Sequence, residues 1–422
     1  MTTNLKRISP LLLLIFLDSL SFFIVIPILL QIFYQQDYGL LPVDTSLALR
    51  NIVTGFTVSL STMAALVAAP FIGGLSDKFG RKKTLLLCLA SIIIGFFLPI
   101  LAILQKNLWL ILAGRCFSGM GAASQPVAQA AVADLSTGKE KAYFLSLIAL
   151  MMTLALIVGP LAAGYLADTQ IFPSATITTP LWCALILSVI TFFMILFFFK
   201  ETMMITNLRS EMLSIFEVMS GLKRLVKQYQ IGLLFLIFFC LELGWSQYYQ
   251  SIFIYLHQVA NYSPQQISLF NAYMGILMSL GLLFLYPLLI RFYSVYAIAR
   301  VSVVGVMIGF MGIVYFQTAA AQWLWVSLVA VFTGIAYVSL LSLMSNRVAP
   351  ALQGKTMGYA STILFSAWML TAFNGGWLIS LQNTLPLYVA ALFLLIATIG
   401  VGFMRRSIDT PQEICNICLP SS

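Results

Sequence analysis

Three charged residues lie inside long apolar stretches and are the first candidates for chemistry: Asp18, Arg115 and Glu242. A carboxylate deep in a membrane is costly when ionised, so such an acid is suited to take up and release a proton. Asp18 lies within the apolar stretch 10–34, and Glu242 is the comparable acid of the second half. Arg115 would bias the proton affinity of the acid. Static roles remain open: an Asp18–Arg115 ion pair, a locally hydrogen-bonded Glu242, and an Arg115 that snorkels to the outer interface.

The composition places these residues in a bilayer. Of the 422 residues, 61% are hydrophobic and 8% are charged, with a mean hydropathy of +1.00. Soluble domains carry about 25% charged residues, so soluble enzymes, collagen-like chains and disordered chains are excluded. The one histidine, His257 in a predicted loop, cannot form a triad or a multi-histidine metal centre alone. Cys415 and Cys418 form a C-x2-C pair without further ligands, so we expect no metal site there. With neither a catalytic triad nor a metal centre, we expect no cofactor and no enzyme activity.

Apolar stretches of spanning length predict twelve transmembrane helices. Their approximate ranges are 10–34, 51–75, 84–104, 108–133, 143–167, 179–199, 230–256, 265–290, 298–317, 322–345, 357–381 and 384–404. The predicted fold is therefore an all-α integral membrane protein. It divides into a bundle over 1–200, a central loop over 201–228, a second bundle over 229–405 and a tail over 406–422.

The basic residues predict the orientation of this fold. If the N-terminus is inside, 19 of the 22 Lys and Arg residues fall on inside segments, Arg50 and Lys106 lie outside, and Arg115 lies within a helix. Because cytoplasmic loops collect Lys and Arg, both termini are predicted to be cytoplasmic. The net charge of +9 reflects this topology and contact with anionic lipid, and it requires no nucleic-acid partner.

The central loop carries its own pattern. Its apolar residues recur at steps of three and four between Met212 and Val226, with charged residues among them. This spacing predicts an amphipathic helix on the cytoplasmic surface. A packed linker and a regulatory element are both consistent with it.

The connection after the second predicted helix reads Gly73-Gly74-Leu75-Ser76-Asp77-Lys78-Phe79-Gly80-Arg81-Lys82-Lys83. Its two leading glycines predict a tight turn between helices. An ordinary positively charged inside loop would look similar, but the stretch resembles the G-x-L-x-D-x-x-G-R-K signature of the major facilitator superfamily. The resemblance implies a conformational latch built from Gly73, Asp77, Gly80 and Arg81, with Arg81 pairing with Asp134. The second half keeps only Arg291 at the matching place, so the latch is predicted to be one-sided.

Two further segments extend the resemblance. Arg115 to Ala123 resembles the family's R-x-x-x-G-x-G-A-A motif, and helical spacing places Arg115, Ser118, Gln125 and Gln129 on one stripe.

Gly159-Pro160, with Gly164 beyond, predicts a bent helix. That segment resembles the G-x-x-x-G-P-x-x-G-G motif of proton-coupled drug antiporters, although Ala155 and Ala163 replace two glycines. A packing bend without antiport meaning is the alternative.

Leu17-Asp18 followed by Pro27 resembles the first helix of the tetracycline-efflux group within that branch, with Ser21 and Phe23 in place of its glycines. The family resemblance implies two six-helix bundles around a central cavity. Aromatic and hydrogen-bonding side chains there would suit an amphipathic organic ligand, although each of them is also a common packing residue. The candidate contacts are Ser21, Ser118, Gln125, Gln129, Trp245, Ser246, Tyr249, Asn271, Tyr337, Trp368 and Asn374.

The sequence therefore predicts a monomeric, multi-pass cell-membrane transporter whose partners are a small-molecule substrate, protons and lipid. We expect proton-coupled efflux of an amphipathic compound by alternating access. An importer of a nutrient, siderophore or metabolite on the same fold is the first alternative. A membrane sensor or channel-like protein on this scaffold is the second, although no ring of charges typical of an ion pore is visible.

Overall fold

Helices make up all the regular structure in the described part of the chain. The computed structural model describes residues 2–34, 40–135, 138–167, 172–202, 231–316, 318–348 and 353–404. The amphipathic helix predicted in the central loop and the tail with Cys415 and Cys418 lie outside these ranges.

The first half contains eight helical segments among the described residues. They are α1 (Thr2–Phe23), α2 (Val25–Tyr34), α3 (Leu47–Phe79), α4 (Arg81–Gln105), α5 (Leu108–Ala122), α6 (Ser124–Leu135), α7 (Gly138–Tyr165) and α8 (Thr179–Phe198).

The described second half contains seven α-helices and one π-helical turn. They are α9 (Gly232–Gln258), α10 (Pro264–Leu280), the π turn (Gly281–Leu285), α11 (Tyr286–Phe292), α12 (Val295–Tyr315), α13 (Ala319–Asn346), α14 (Gln353–Leu381) and α15 (Leu385–Phe403). His257 lies in the last turn of α9, so its predicted position in a loop was wrong.

Ten described segments are long and apolar enough to cross a membrane, and Leu150–Tyr165 is a shorter apolar helix. The prediction of twelve spans is therefore only partly supported. The fourth predicted helix is divided at Ala123 into α5 and α6, so neither piece has spanning length by itself. The number twelve stays a prediction.

Prolines explain the interruptions. A proline lacks the N–H that would bond to the carbonyl four residues earlier, and its ring clashes with that carbonyl. The first span breaks at Ile24, three residues before Pro27, and the fourth breaks at Ala123, three residues before Pro126. The π turn ends just before Pro287. By contrast, α7 runs through Pro160 as one helix, so the bend predicted there stays a prediction.

The turn of the signature segment lies later than predicted. Gly73 and Gly74 are inside α3, which continues to Phe79. Gly80 alone makes the turn into α4, with φ 97°, a conformation that glycine adopts without steric cost. The tight turn predicted at Gly73-Gly74 was therefore wrong.

The described residues form two apolar cores. One core consists of residues between Leu11 and Phe199 together with Ala372, and the other consists mainly of residues between Ile231 and Met404. The two halves contact each other through α3 with α14 and through α7 with α10. This arrangement leaves a space between the cores, where the buried acids lie.

Candidate substrate and proton site

A cavity of about 210 Å³ lies between the two cores. The first half lines it with residues of α1, α3, α5, α6 and α7, and the second half with residues of α9, α10, the π turn, α13 and α14. Most of the lining is apolar. Both buried acids predicted from the sequence, Asp18 and Glu242, line this cavity.

Asp18 enters the cavity from α1, six residues before the break at Ile24. Its side chain is 6% exposed, and its Oδ1 has no hydrogen-bond partner among the described residues. The Ser21 hydroxyl donates to the Asp18 backbone carbonyl at 2.7 Å, so it does not satisfy the carboxyl group. Buried polar atoms are nearly always paired with protein or water, so this carboxyl oxygen is available to a proton, a water molecule or a ligand in the cavity.

Arg115 lies behind the cavity wall in α5. Its side chain is 1% exposed and therefore does not snorkel to an interface. It donates from Nη1 to the Ser21 carbonyl at 3.1 Å and from Nε to the Thr57 carbonyl at 3.4 Å. The guanidinium also lies 5.7 Å from the centre of the Phe22 ring. These contacts connect α5 to α1 and α3, and they leave Asp18 without the ion pair considered above.

Glu242 enters the cavity from α9 in the second half. Its side chain is 2% exposed, and its Oε2 accepts a hydrogen bond from Trp368 Nε1 of α14 at 3.2 Å. The Ser246 hydroxyl donates to the Glu242 backbone carbonyl at 2.5 Å and accepts from Thr371 at 2.9 Å. The Glu242 side chain is thus hydrogen-bonded to a residue of another helix, and it lies at the surface of the cavity.

Aromatic rings connect the halves beside these acids. The Trp368 ring centre lies 5.4 Å from that of Phe22 and 5.6 Å from that of Tyr249. Phe23 and Tyr249 lie 5.7 Å apart. The rings of α1 therefore pack directly on the rings of α9 and α14 at the cavity wall.

The predicted substrate contacts divide into two groups. Six line the cavity: Ser21, Gln125, Trp245, Tyr249, Tyr337 and Trp368. Ser118, Ser246, Asn271 and Asn374 do not line it, and the side chain of Gln129 lies outside the described residues. The stripe predicted on one helix is interrupted at Ala123, so Arg115 and Ser118 are buried in packing while Gln125 reaches the cavity.

Several hydroxyl groups at the cavity were not predicted. Ser61 and Thr62 of α3, Thr153 of α7 and Thr333 of α13 line it. The signal available in the sequence was weak, because hydroxyl side chains in membrane helices commonly bond to their own backbone. Thr62 and Thr153 do so, to the carbonyls of Ser59 and Leu150.

Gly159 supports the break that follows Asp18. A Cβ at this position would lie 3.0 Å from Ile24 N and 3.1 Å from Phe23 Cβ. A side chain at this position would therefore press on the α1–α2 break, and glycine lets α7 approach it closely. The antiporter-like segment is thus placed against the helix that carries the buried acid.

The latch region contains an acid, Glu201, that was not among the predicted site residues. Glu201 accepts hydrogen bonds from Arg81 N at 2.9 Å and from Lys82 N at 3.1 Å, at the start of α4. A Cβ on Gly80 would lie 2.5 Å from Glu201 Oε2. The Arg81 side chain donates to Ser76 Oγ at 2.7 Å. The side chains of Asp77 and Asp134 are outside the described residues, so the Arg81–Asp134 pair stays a prediction.

The contact between α3 and α14 differs at its two ends. Near Asn51, a Cβ on Gly376 would collide with the Asn51 carbonyl oxygen, and one on Gly55 would lie 2.7 Å from the Ala372 carbonyl. Asn51 Oδ1 also accepts hydrogen bonds from Tyr34 and Gln258. Towards the other end, a Cβ on Gly73 or Gly358 would meet no described atom within 4 Å.

Comparisons with known proteins agree with this architecture. The model of the Major Facilitator Superfamily matches residues 11–372. Tetracycline resistance protein, class B, of Escherichia coli is 29% identical over 148 residues, which are 35% of this chain and 35% of that protein. Multidrug resistance protein MdtG of Escherichia coli O17:K52:H18 (strain UMN026 / ExPEC) is 28% identical over 210 residues, 50% of this chain and 48% of that protein. The alignments thus span less than half of the length of these relatives.

Two solved structures resemble the whole fold. The crystal structure of the human organic anion transporter MFSD10 (TETRAN) has a TM-score of 0.69 at 17% identity, covering 94% of this chain and 99% of its own. The D-xylose-proton symporter has a TM-score of 0.66 at 15% identity, covering 94% and 97%. At these identities the likeness shows the fold alone. The family match covers most of the chain, and the spanning helices agree with it: this multi-pass membrane protein belongs to the Major Facilitator Superfamily of transporters.

Proposed function

We propose that the protein is a proton-coupled secondary active transporter that exports an amphipathic organic compound by alternating access. The observation that carries this proposal is Asp18. Its buried carboxyl group has an oxygen without a described partner and faces a cavity shared by both halves. A proton is the smallest cargo that such a group can exchange with either side of a membrane.

The proposed topology has twelve spans with both termini in the cytoplasm, because most basic residues then lie on inside segments. One chain supplies both walls of the cavity, so the proposed transporter acts as a monomer. Asp18 accepts a proton when the cavity faces outwards and releases it when the cavity faces the cytoplasm. Arg115, held by the Ser21 and Thr57 carbonyls, fixes the helix segment that carries Asp18 and contributes a nearby positive charge.

Substrate and proton alternate because both need the same cavity. A substrate that enters from the cytoplasmic side favours release of the proton, and the proton favours release of the substrate outside. The halves rock around their contacts to expose the cavity to each side in turn. Gly159, which packs on the α1–α2 break, lets α7 follow the movement of the Asp18 segment.

Export is favoured over import by the relatives, which are named as tetracycline and multidrug resistance proteins. A proton-coupled importer is the second candidate, since a D-xylose-proton symporter shares the fold. The direction of flux separates them. Expression of an exporter lowers cellular accumulation of the compound and raises tolerance to it, whereas expression of an importer raises uptake.

The proton role is tested with purified protein in liposomes. With an imposed pH gradient, the wild type should accumulate the compound against its concentration gradient. Asp18→Asn, which is nearly isosteric and cannot ionise, should reduce gradient-driven uptake to the level of protein-free liposomes. Asp44→Asn makes the same chemical change at an exposed loop position and should keep full uptake. Full gradient-driven uptake by Asp18→Asn would contradict the proposal.

A further inference from the structure

The charged side chains that line the cavity are of one sign. Among the described residues that line it, Asp18 and Glu242 are acidic and none is basic. The Arg115 guanidinium does not line the cavity: it donates to two backbone carbonyls and lies beside the Phe22 ring, while its Nη2 has no hydrogen-bond partner among the described residues. A cavity with such a lining disfavours anions and attracts cations, because like charges repel strongly where water is scarce.

The two acids have different surroundings. Small polar groups line the cavity around Asp18, including Ser19 and Ser21 of the same helix. Glu242 instead shares its helix face with Trp245 and Tyr249, three and seven residues further along α9, and it is held by Trp368. Phe22 and Phe23 of α1 also line the cavity and pack on Trp368 and Tyr249, so aromatic rings lie near both acids, and the tryptophan hydrogen bond is what is particular to Glu242.

Hydrogen bonding also distinguishes the acids. The Trp368 Nε1–H donates to Glu242 Oε2, and such a bond stabilises and orients a carboxylate. The Trp368 and Tyr249 rings lie beside it, with centres 5.6 Å apart. An oriented carboxylate attracts a cationic group by its charge, and an aromatic ring adds to this attraction where its face meets the cation.

We propose that Glu242, Trp368 and Tyr249 form a subsite for the positive group of a lipophilic cation, while Asp18 keeps the proton. This inference deepens the proposed function, on which it rests, by naming the substrate class as organic cations with an apolar body. The apolar part of the cavity would receive that body. The subsite places the substrate's charge on the second half, opposite the proton site on the first.

The test is equilibrium binding to the purified full chain, without any pH gradient. The probes are methyltriphenylphosphonium and triphenylphosphine oxide, which share three phenyl groups and differ in charge. The wild type should bind the phosphonium at least about tenfold more tightly than the oxide at alkaline pH. Glu242→Gln should remove this preference while keeping affinity for the oxide, which also shows that the variant is folded.

Two further variants make the test specific. Asp18→Asn should keep the preference for the cation, since the proton site is elsewhere. Trp368→Phe keeps a ring but loses the Nε1–H donor, and should reduce phosphonium affinity severalfold. Equal wild-type binding of both probes, or an undiminished preference in Glu242→Gln, would overturn the inference. Cation preference without gradient-driven transport would instead overturn the efflux proposal and leave this subsite standing.

Discussion

Asp18 and Glu242 face one cavity from opposite halves of the chain, but their carboxyl groups are supported differently. Asp18 Oδ1 has no hydrogen-bond partner among the described residues, whereas Glu242 Oε2 accepts a hydrogen bond from a tryptophan on another helix. Burial alone would make the two acids equivalent. The difference is the basis for the two proposed roles, a proton site at Asp18 and a cation subsite at Glu242.

The supporting helices differ in the same way. Asp18 lies on a span that breaks six residues later, and Gly159 packs on that break. Glu242 lies on α9, which is continuous from Gly232 to Gln258. A broken helix can change the position of its two parts with little loss of hydrogen bonding. In the proposed cycle the Asp18 segment is therefore the part that moves, and α9 keeps its shape.

The largest expected effect comes from removing each acid in turn. Asp18→Asn should abolish the pH dependence of transport, because the remaining cavity cannot exchange a proton at that position. Glu242→Gln should keep a pH-dependent flux but with a raised apparent KM for a cationic compound. Proteoliposome flux at several imposed gradients measures both. If the two variants lose the same function to the same degree, the division between the acids is wrong.

The next effect concerns the two ends of the α3–α14 contact. Gly376→Ala places a methyl group against the Asn51 carbonyl, so α3 and α14 must separate there. Gly358→Ala on the same helix meets no described atom within 4 Å and is the matched control. Spin labels at the exposed positions Leu47 and Leu381, in a background without native cysteines, report the distance by pulsed electron paramagnetic resonance.

We expect a longer Leu47–Leu381 distance in Gly376→Ala and an unchanged one in Gly358→Ala. An unchanged distance in a folded Gly376→Ala protein would show that this close contact does not hold the halves together.

A smaller effect is expected at the helix break. Gly159→Val would force a side chain against Phe23 and Ile24 and should cost about 1–3 kcal/mol of stability, as is typical of overpacking. Gly402→Val adds the same side chain where a Cβ would meet no described atom within 4 Å. Thermal unfolding in detergent compares the two. Equal unfolding temperatures of the two variants would contradict the inference that Gly159 allows close packing of α7 on the Asp18 segment.

Much of the fold and the positions of both acids could be predicted from the sequence. A charge such as Asp18 inside an apolar stretch has few explanations, and the signature around Gly80 is specific. The position of Arg115 could be predicted to lie in a helix, but its partners could not. They depend on which carbonyls of α1 and α3 approach it, and that approach is set by tertiary packing.

The helix break at Ala123 and the contact of Glu201 with α4 could not be predicted for a similar reason. The break at Ala123 follows from Pro126, a residue whose effect is ambiguous because α7 runs through Pro160 without interruption. Glu201 caps α4 although it is 120 residues away from Arg81 along the chain. No periodicity within one helix can reveal such a contact. Sequence patterns thus predict which residues are exceptional in their segment, such as a charge in an apolar helix. Tertiary packing determines which atoms each of these residues contacts.

The most direct measurement of the central claim is proton movement driven by substrate. Inside-out proteoliposomes with an acidic lumen and a trapped pH dye would receive the phosphonium compound from outside. If Asp18 exchanges the coupled proton, the wild type moves protons out as the compound enters, so the lumen becomes more alkaline, and Asp18→Asn gives no such signal. A substrate-dependent alkaline shift of equal size in Asp18→Asn would contradict it.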